Sequence, residues 1–277
     1  KPSLPAGKHP MKQETLHLDR VRVTIDDGVA EVALARPDKM NALDSAMFEA
    51  LGRTIDQLKT DPGVHAVVLR GEGRLFCAGI DLASLGGLVE SGELPPHLRE
   101  LATRTHGQCN LFQYVAWGWQ ELKVPVIAAL HGAAFGGGLQ IALGADIRLV
   151  QADTKLSVME IQWGLIPDMA GCALLPRLVR DDVARELTFT GRVVLGDEAA
   201  RLGLATRVCD DPLAEARAMA RQMAGRLPEA LQAAKQLLNL AHTADTASVL
   251  KAEAEAQQAL LGSPAQVELL RAGFKKR

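Results

Sequence analysis

Two short glycine-bearing segments hold the residues best able to do chemistry: Phe76-Cys-Ala-Gly-Ile-Asp81 and His131-Gly-Ala-Ala-Phe-Gly-Gly-Gly-Leu-Gln140. Each follows an apolar, strand-like run, His65–Arg70 and Val124–Leu130. Gly136, Gly137 and Gly138 read as the opening of a helix that continues through Leu143. A helix start carries unpaired N–H groups and positive dipole, and glycine there lets a ligand oxygen reach the bare backbone. Two such N–H groups, one from each turn, could meet a single developing oxyanion. That is the chemistry of an activated carbonyl.

Downstream lies a possible acid–base pair, Glu160 and Asp168, in Met159-Glu160-Ile161-Gln162-Trp163-Gly164-Leu165-Ile166-Pro167-Asp168. Gln140 can hydrogen-bond or orient a water, but it cannot take a proton as a carboxylate does. Other chemistries are absent from the pattern. Gly132 to Gly137 is not followed by the lysine of a phosphate-binding loop, and Gly71-x-Gly73 lacks the third glycine of a dinucleotide fingerprint. No serine has glycine two residues before and two after it, and no His/Cys spacing suits zinc, so no metal is expected.

These positions require a mixed scaffold. Val21–Ile25 and Val29–Ala35 alternate as a hairpin around Asp26-Asp27-Gly28. Asp44 caps an expected helix to about Lys59, which Asp61-Pro62-Gly63 ends. A short helix is expected over Asp81–Val89 and a longer one from about His97 to Leu122. Strands at Pro125–Leu130 and Ile147–Gln151 flank the glycine-opened helix. Beyond Val208 the pattern turns helical: Pro228 suits a first turn, with Leu231, Ala234, Leu238 and Ala241 on one face, and a further helix covers Ala247–Leu261. The mixture points to an α/β or α+β core.

Composition limits the class. With 277 residues, 48% hydrophobic and 23% charged, the chain can bury a substantial core. A formal net charge of −2 argues against non-specific nucleic-acid binding, so no nucleic-acid partner is expected. Cys77, Cys109, Cys172 and Cys209 are scattered and read as reduced thiols of a cytoplasmic protein. The uncharged run Val124 to Ala145 is long enough for a bilayer, yet Pro125, His131, the glycines and Gln140 break it, and no membrane span is expected. Residues 1–10, with three prolines, read as a flexible extension.

The chain resembles the crotonase (enoyl-CoA hydratase/isomerase) superfamily. The likeness runs through Arg36-Pro37-Asp38-Lys39-Met40-Asn41-Ala42-Leu43, Cys77-Ala78-Gly79-Ile80-Asp81, Pro125-Val126-Ile127-Ala128-Ala129 and Gly136-Gly137-Gly138. It continues in Ala145-Asp146-Ile147-Arg148 and Arg185-Glu186-Leu187-Thr188-Phe189-Thr190-Gly191, and covers roughly residues 20 to 277. The resemblance implies an α/β fold, a spiral of β-β-α units over 11–207, then a helical region over 208–277 that assembles trimers, often paired as hexamers. It implies Ile80 and Gly137 as the backbone donors of an oxyanion hole, and an acyl-CoA thioester as substrate, with coenzyme A part of that substrate and no separate cofactor. Arg74, Lys39 and Arg36 become candidate coenzyme A phosphate contacts, and the Ala78 backbone meets the adenine end. Trp117, Trp119 and Trp163 are candidates for an acyl pocket, with packing the ordinary role; His131 reads as a structural histidine.

In a typical hydratase of this kind a glutamate stands at position 140 and another at 160. Here the first is glutamine. Asp168 stands where a hydratase commonly has glycine, and carboxylates at this eight-residue spacing occur in dienoyl-CoA isomerases, which also carry an acid at position 140. The expected function is therefore double-bond isomerisation of an enoyl- or dienoyl-CoA. Enoyl-CoA hydration is the alternative, with a non-catalytic acyl-CoA- or RNA-binding protein as the rival outside catalysis.

Overall fold

Alternating apolar residues fold as read into a hairpin. β2 (Val21–Asp26) and β3 (Val29–Leu34) pair antiparallel with Asp26 opposite Val29, and Asp27 and Gly28 both take positive φ between them. Such a two-residue turn matches the twist of the strands it joins. The computed structural model describes residues 13–85, 92–93, 95 and 98–274. The expected extension over 1–10 and residues 86–89 of the expected short helix lie outside the described residues; Leu82–Leu85 forms one 3-10 turn.

An edge strand that the sequence pattern did not announce, β1 (Gln13–His17), pairs antiparallel with β2. β4 (Ala66–Gly71), β5 (Val126–Leu130), β7 (Ile147–Val150) and β10 (Arg207–Val208) extend the sheet in parallel, in the order β1-β2-β3-β4-β5-β7-β10. A second sheet holds β6 (Ala133–Phe135), β8 (Lys155–Ser157) and β9 (Val194–Leu195), in the order β6-β8-β9. The main sheet is covered on both faces, as its nearly unbroken apolar strands require. Val67, Leu69, Ala128 and Leu130 point into the larger core; their neighbours Val68, Ile127 and Ala129 point into the smaller one.

Helix α1 (Ser45–Thr60) begins where the sequence placed it, because the Asp44 carboxylate accepts from the Met47 N–H at 2.9 Å. Helix α2 is shorter than expected. It spans only Leu111–Glu121, and residues 98–110 form turns rather than helix. The reason is local. Asn110 and Gln113 form a reciprocal capping box that starts the helix there. Upstream, Arg104 donates to the Leu101, Ala102 and Gln108 carbonyls, so side-chain donors rather than helical N–H groups satisfy that stretch. The two helices pack closely: Phe48 meets Phe112 edge-on with centroids 4.8 Å apart, and Gly118 leaves room for Ile55.

The uncharged run 124–145 divides into β5, β6 and α3 (Gly137–Leu143), and no described helix is long and apolar enough to cross a membrane. Past α3, helices α4 (Gly171–Leu174), α5 (Asp181–Thr190) and α6 (Gly196–Leu202) lead to β10. Helix α7 (Pro212–Ala224) buries Ala216 and Ala220 against Val68, Ile127 and Ala129, so the helical region starts as part of the core.

Helices α8 (Pro228–Leu240), α9 (Thr246–Leu260) and α10 (Pro264–Phe274) follow. In α8 the expected apolar face is only partly the buried one. Leu238 is 70% exposed and Ala234 and Ala241 are exposed, whereas Lys235 is buried. Its ammonium pairs with Asp146 at 2.8 Å and donates to the Trp119 and Val124 carbonyls. A buried cation holds only where such acceptors neutralise and solvate it. Lys235 thus fixes α8 to the end of α2 and the start of β5.

Candidate active site

The first glycine turn is stretched between two flanking segments. On one side Leu43 forms a parallel bridge to Ile80: its N–H donates to the Gly79 carbonyl at 2.8 Å, and its carbonyl accepts from Asp81 N–H at 3.0 Å. On the other, Cys77 bridges Ala134, donating to Ala133 O and accepting from Phe135 N–H. In a parallel bridge the residue opposite Leu43 spends neither of its own polar groups, so the Ile80 N–H is left over. Gly79 is obligatory here. Its φ is +91°, and a Cβ would stand 2.8 Å from the Phe135 carbonyl oxygen.

The sequence pattern gave no role to the residue that holds this turn in place. Asn41 is fully buried, and its Nδ2 lies 2.8–3.0 Å from the Glu72, Leu75 and Phe76 carbonyls while its Oδ1 accepts from Arg36 N–H. Its neighbour Met40 supplies the carbonyl that accepts from Ala78 N–H at 3.0 Å. The only signal was its place in the Arg36–Leu43 motif.

The second turn presents its donor from a helix start. Gly136 caps α3 with φ +49° and ψ −122°, which leaves the Gly137 N–H at the first helical position without an intrahelical acceptor. Neither Ile80 nor Gly137 donates a backbone hydrogen bond to any described residue. The turns adjoin: a Cβ on Gly79 would lie 3.8 Å from Gly137 N, and one on Gly136 would lie 3.3 Å from Glu160 Oε1. Ile80, Gly137, Gln140, Glu160 and Asp168 all line one cavity of about 890 Å³. Phe48, Leu101, Phe112, Leu165, Ile166 and Met169 give it an apolar wall. A largely apolar cleft with a few convergent polar groups is the usual form of a small-molecule site.

Glu160 opens a 3-10 turn, Glu160–Trp163, and is buried. Gln140 Nε2 donates to its Oε1 at 2.5 Å, while its Oε2 has no partner. Burial pushes the Glu160 carboxyl above the ordinary carboxylate range, and the nearby Asp168 charge pushes the same way; the Gln140 bond opposes both. Asp168, open to the cavity, is also pushed up, by desolvation from its surroundings. The pair can therefore hold and release a proton nearer neutrality than free carboxylates do.

The other expected residues separate. Lys39 is exposed and lines the cavity with Ala78. Arg36 is turned inward, donating to Asp81 Oδ2 at 2.7 Å and to the Ala42 carbonyl, so its charge holds the end of the first glycine turn to the Leu43 segment. Arg74 is exposed and does not line the cavity. Trp163 lines it, whereas Trp119 is core and donates to the Val115 carbonyl; Trp117 stacks under Arg177. His131 lies 3.0 Å from Gly73 O through Nε2, a structural contact as expected. Among the described residues no group of three or more His, Cys, Asp or Glu could hold a metal ion.

Known proteins resemble this chain in sequence and in fold. The family model described as enoyl-CoA hydratase/isomerase matches residues 24–276. A Bacillus subtilis (strain 168) protein named "Probable enoyl-CoA hydratase" is 34% identical over 227 residues, 80% of this chain and 82% of that one. The mitochondrial Delta(3,5)-Delta(2,4)-dienoyl-CoA isomerase of Dictyostelium discoideum is 31% identical over 78% of this chain and 75% of its own. A crystal structure from Streptomyces coelicolor A3(2) superposes with a TM-score of 0.85 at 33% identity, covering 99% of this chain and 97% of that one. With the match running nearly from end to end and the cavity built from the same stretches that carry it, the chain belongs to the enoyl-CoA hydratase/isomerase family of the crotonase superfamily and is an acyl-CoA enzyme.

Proposed function

We propose that this enzyme moves a double bond in an enoyl- or dienoyl-CoA, with Glu160 as the proton carrier and the Ile80 and Gly137 N–H groups as the oxyanion hole. One observation carries the reading: Glu160 Oε2 is a buried carboxyl oxygen without a partner, in the wall of the cavity that also contains the two unpaired N–H groups. A buried orphan of this kind costs free energy unless a ligand completes it.

For a 3-enoyl-CoA the proposed steps are these. The ionised Glu160 takes a proton from the α-carbon; the C–H electron pair passes into the thioester carbonyl. The resulting oxyanion meets the two N–H donors, fixed before the charge arrives. Glu160 then returns the proton to the γ-carbon, which leaves a conjugated 2-enoyl-CoA. For a dienoyl-CoA, Asp168 is the second proton carrier in the same cavity. Lys39 and the Ala78 backbone hold the coenzyme A portion at the cavity; Arg74 is a further phosphate contact, and Arg36 acts through the segment it braces.

Hydration is the second reading, favoured by the name of the Bacillus subtilis relative. Adding water needs one group to deprotonate the water and another to protonate the α-carbon, and glutamine stands where the second carboxylate would be. A panel of 2-enoyl-, 3-enoyl- and 3,5-dienoyl-CoA thioesters with product identification tests the choice. Migration faster than hydration is the expected result; efficient hydration of crotonyl-CoA without migration overturns it. The setting we propose is cytoplasmic, in keeping with four free cysteines, and the assembly a trimer or hexamer.

A further inference from the structure

The acceptor capacity of Gln140 is already spent. Its Oε1 accepts from the Met169 and Gly171 N–H groups, each at 2.9 Å, and both residues lie on the segment that follows Asp168. A carbonyl oxygen has two lone pairs, so nothing remains there to take a proton-sharing bond from a water. The same two donors decide how the amide is turned, since the reverse orientation would set an NH2 group against two N–H groups. Nε2 therefore faces Glu160 and donates to Oε1 alone. Protonating Oε1 would cost that bond, whereas Oε2 has no bond to lose.

We propose that Gln140 is the positioning residue of this site, orienting Glu160 so that Oε2 rather than Oε1 takes up and returns the proton in the migration of a 3-enoyl-CoA, and withholding at position 140 the second carboxylate that adding water would use. The inference rests on the acyl-CoA reading above. In the migration step the α-C–H bond breaks as the Oε2–H bond forms, and the reverse exchange at the γ-carbon restores the carboxylate, so no other proton source is needed. Gln140 touches neither carbon. It acts by fixing which oxygen is available and by joining α3, the Glu160 turn and the 169–171 segment in one network. The titratable groups that share Glu160's field are Asp168 and Cys172.

Gln140→Glu is the informative variant because it preserves shape and both accepting contacts to Met169 and Gly171, while replacing the donor to Glu160 with a second carboxyl oxygen. The Glu160 carboxyl stretch can be followed by infrared titration of the ligand-free enzyme, assigned by its loss in Glu160→Gln. It is expected to titrate about one pH unit or more higher in Gln140→Glu, since two adjacent carboxylates resist joint ionisation. Isomerisation kcat then falls about ten-fold or more at pH values below both titration midpoints, with KM unchanged, and hydration of a 2-enoyl-CoA rises. Gln140→Met, which removes the donor without adding charge, also titrates above the parent enzyme. An unshifted titration in Gln140→Glu, or no gain in hydration, overturns the proposal. Efficient hydration without migration by the parent enzyme would instead refute the assigned reaction, and the infrared titration would still judge Gln140 separately.

Discussion

A carboxylate serves as a base only while ionised, so the proposed mechanism requires the rate to rise with pH through the folded-state pKa of Glu160. Burial and the Asp168 charge both lift that pKa, which places the acid limb of kcat/KM above the ordinary glutamate range. Asp168→Asn removes the like charge and is expected to move this limb to lower pH. A pH–rate profile measured on both forms checks it, and an unmoved limb means the two carboxyls do not act on each other. At this scale the sequence was informative where a residue type alone restricts chemistry: the carboxylate at 160 and the missing one at 140 needed no coordinates. Asn41 was not legible in that way. Its three carbonyl contacts come from a segment more than thirty residues away, and no local pattern encodes them.

Each glycine turn leaves one N–H unspent, the first because Ile80 stands opposite Leu43 in a parallel bridge and the second because Gly137 opens α3. Gly136 shows how narrow the tolerance is, since its φ of +49° with ψ −122° is strained for any residue with a side chain. Gly136→Ala would also place its methyl 3.3 Å from Glu160 Oε1. The expected cost is about 1–3 kcal/mol of stability, together with lost turnover, read by thermal unfolding and a rate assay. A variant as stable and as active as its parent would show that the turn is not under this constraint. Hairpin, α1 and the glycine-opened α3 were readable because period, cap and breaker agree there. Residues 98–110 were not. Their helical look was overridden by Arg104 donating to three nearby carbonyls and by a capping box that begins α2 late.

The C-terminal helices leave the isolated chain with unfinished surfaces. α9 and α10 bury no residue, and Leu238, Leu250, Leu261 and Phe274 are each at least 59% exposed. Apolar side chains exposed on consecutive helices suit an interface between subunits, and we propose that these helices form one. Sedimentation across micromolar concentrations is expected to give a trimer or hexamer; monomer throughout would contradict that. The periodicity of α8 marks an apolar face without saying what that face meets. A stripe that faces a partner and a stripe that faces the core look alike in one sequence, and here the core contact is made by Lys235 on Asp146.

The central claim is that Glu160 moves a substrate proton while two backbone N–H groups hold the thioester oxyanion. It is tested most directly by incubating a 3-enoyl-CoA in deuterated water and following label at the α- and γ-carbons by NMR. The parent enzyme is expected to form 2-enoyl-CoA with exchange at those carbons, and Glu160→Gln to lose roughly 10²–10⁴-fold in both with substrate binding kept. Migration and exchange at the parent rate in Glu160→Gln would contradict the account.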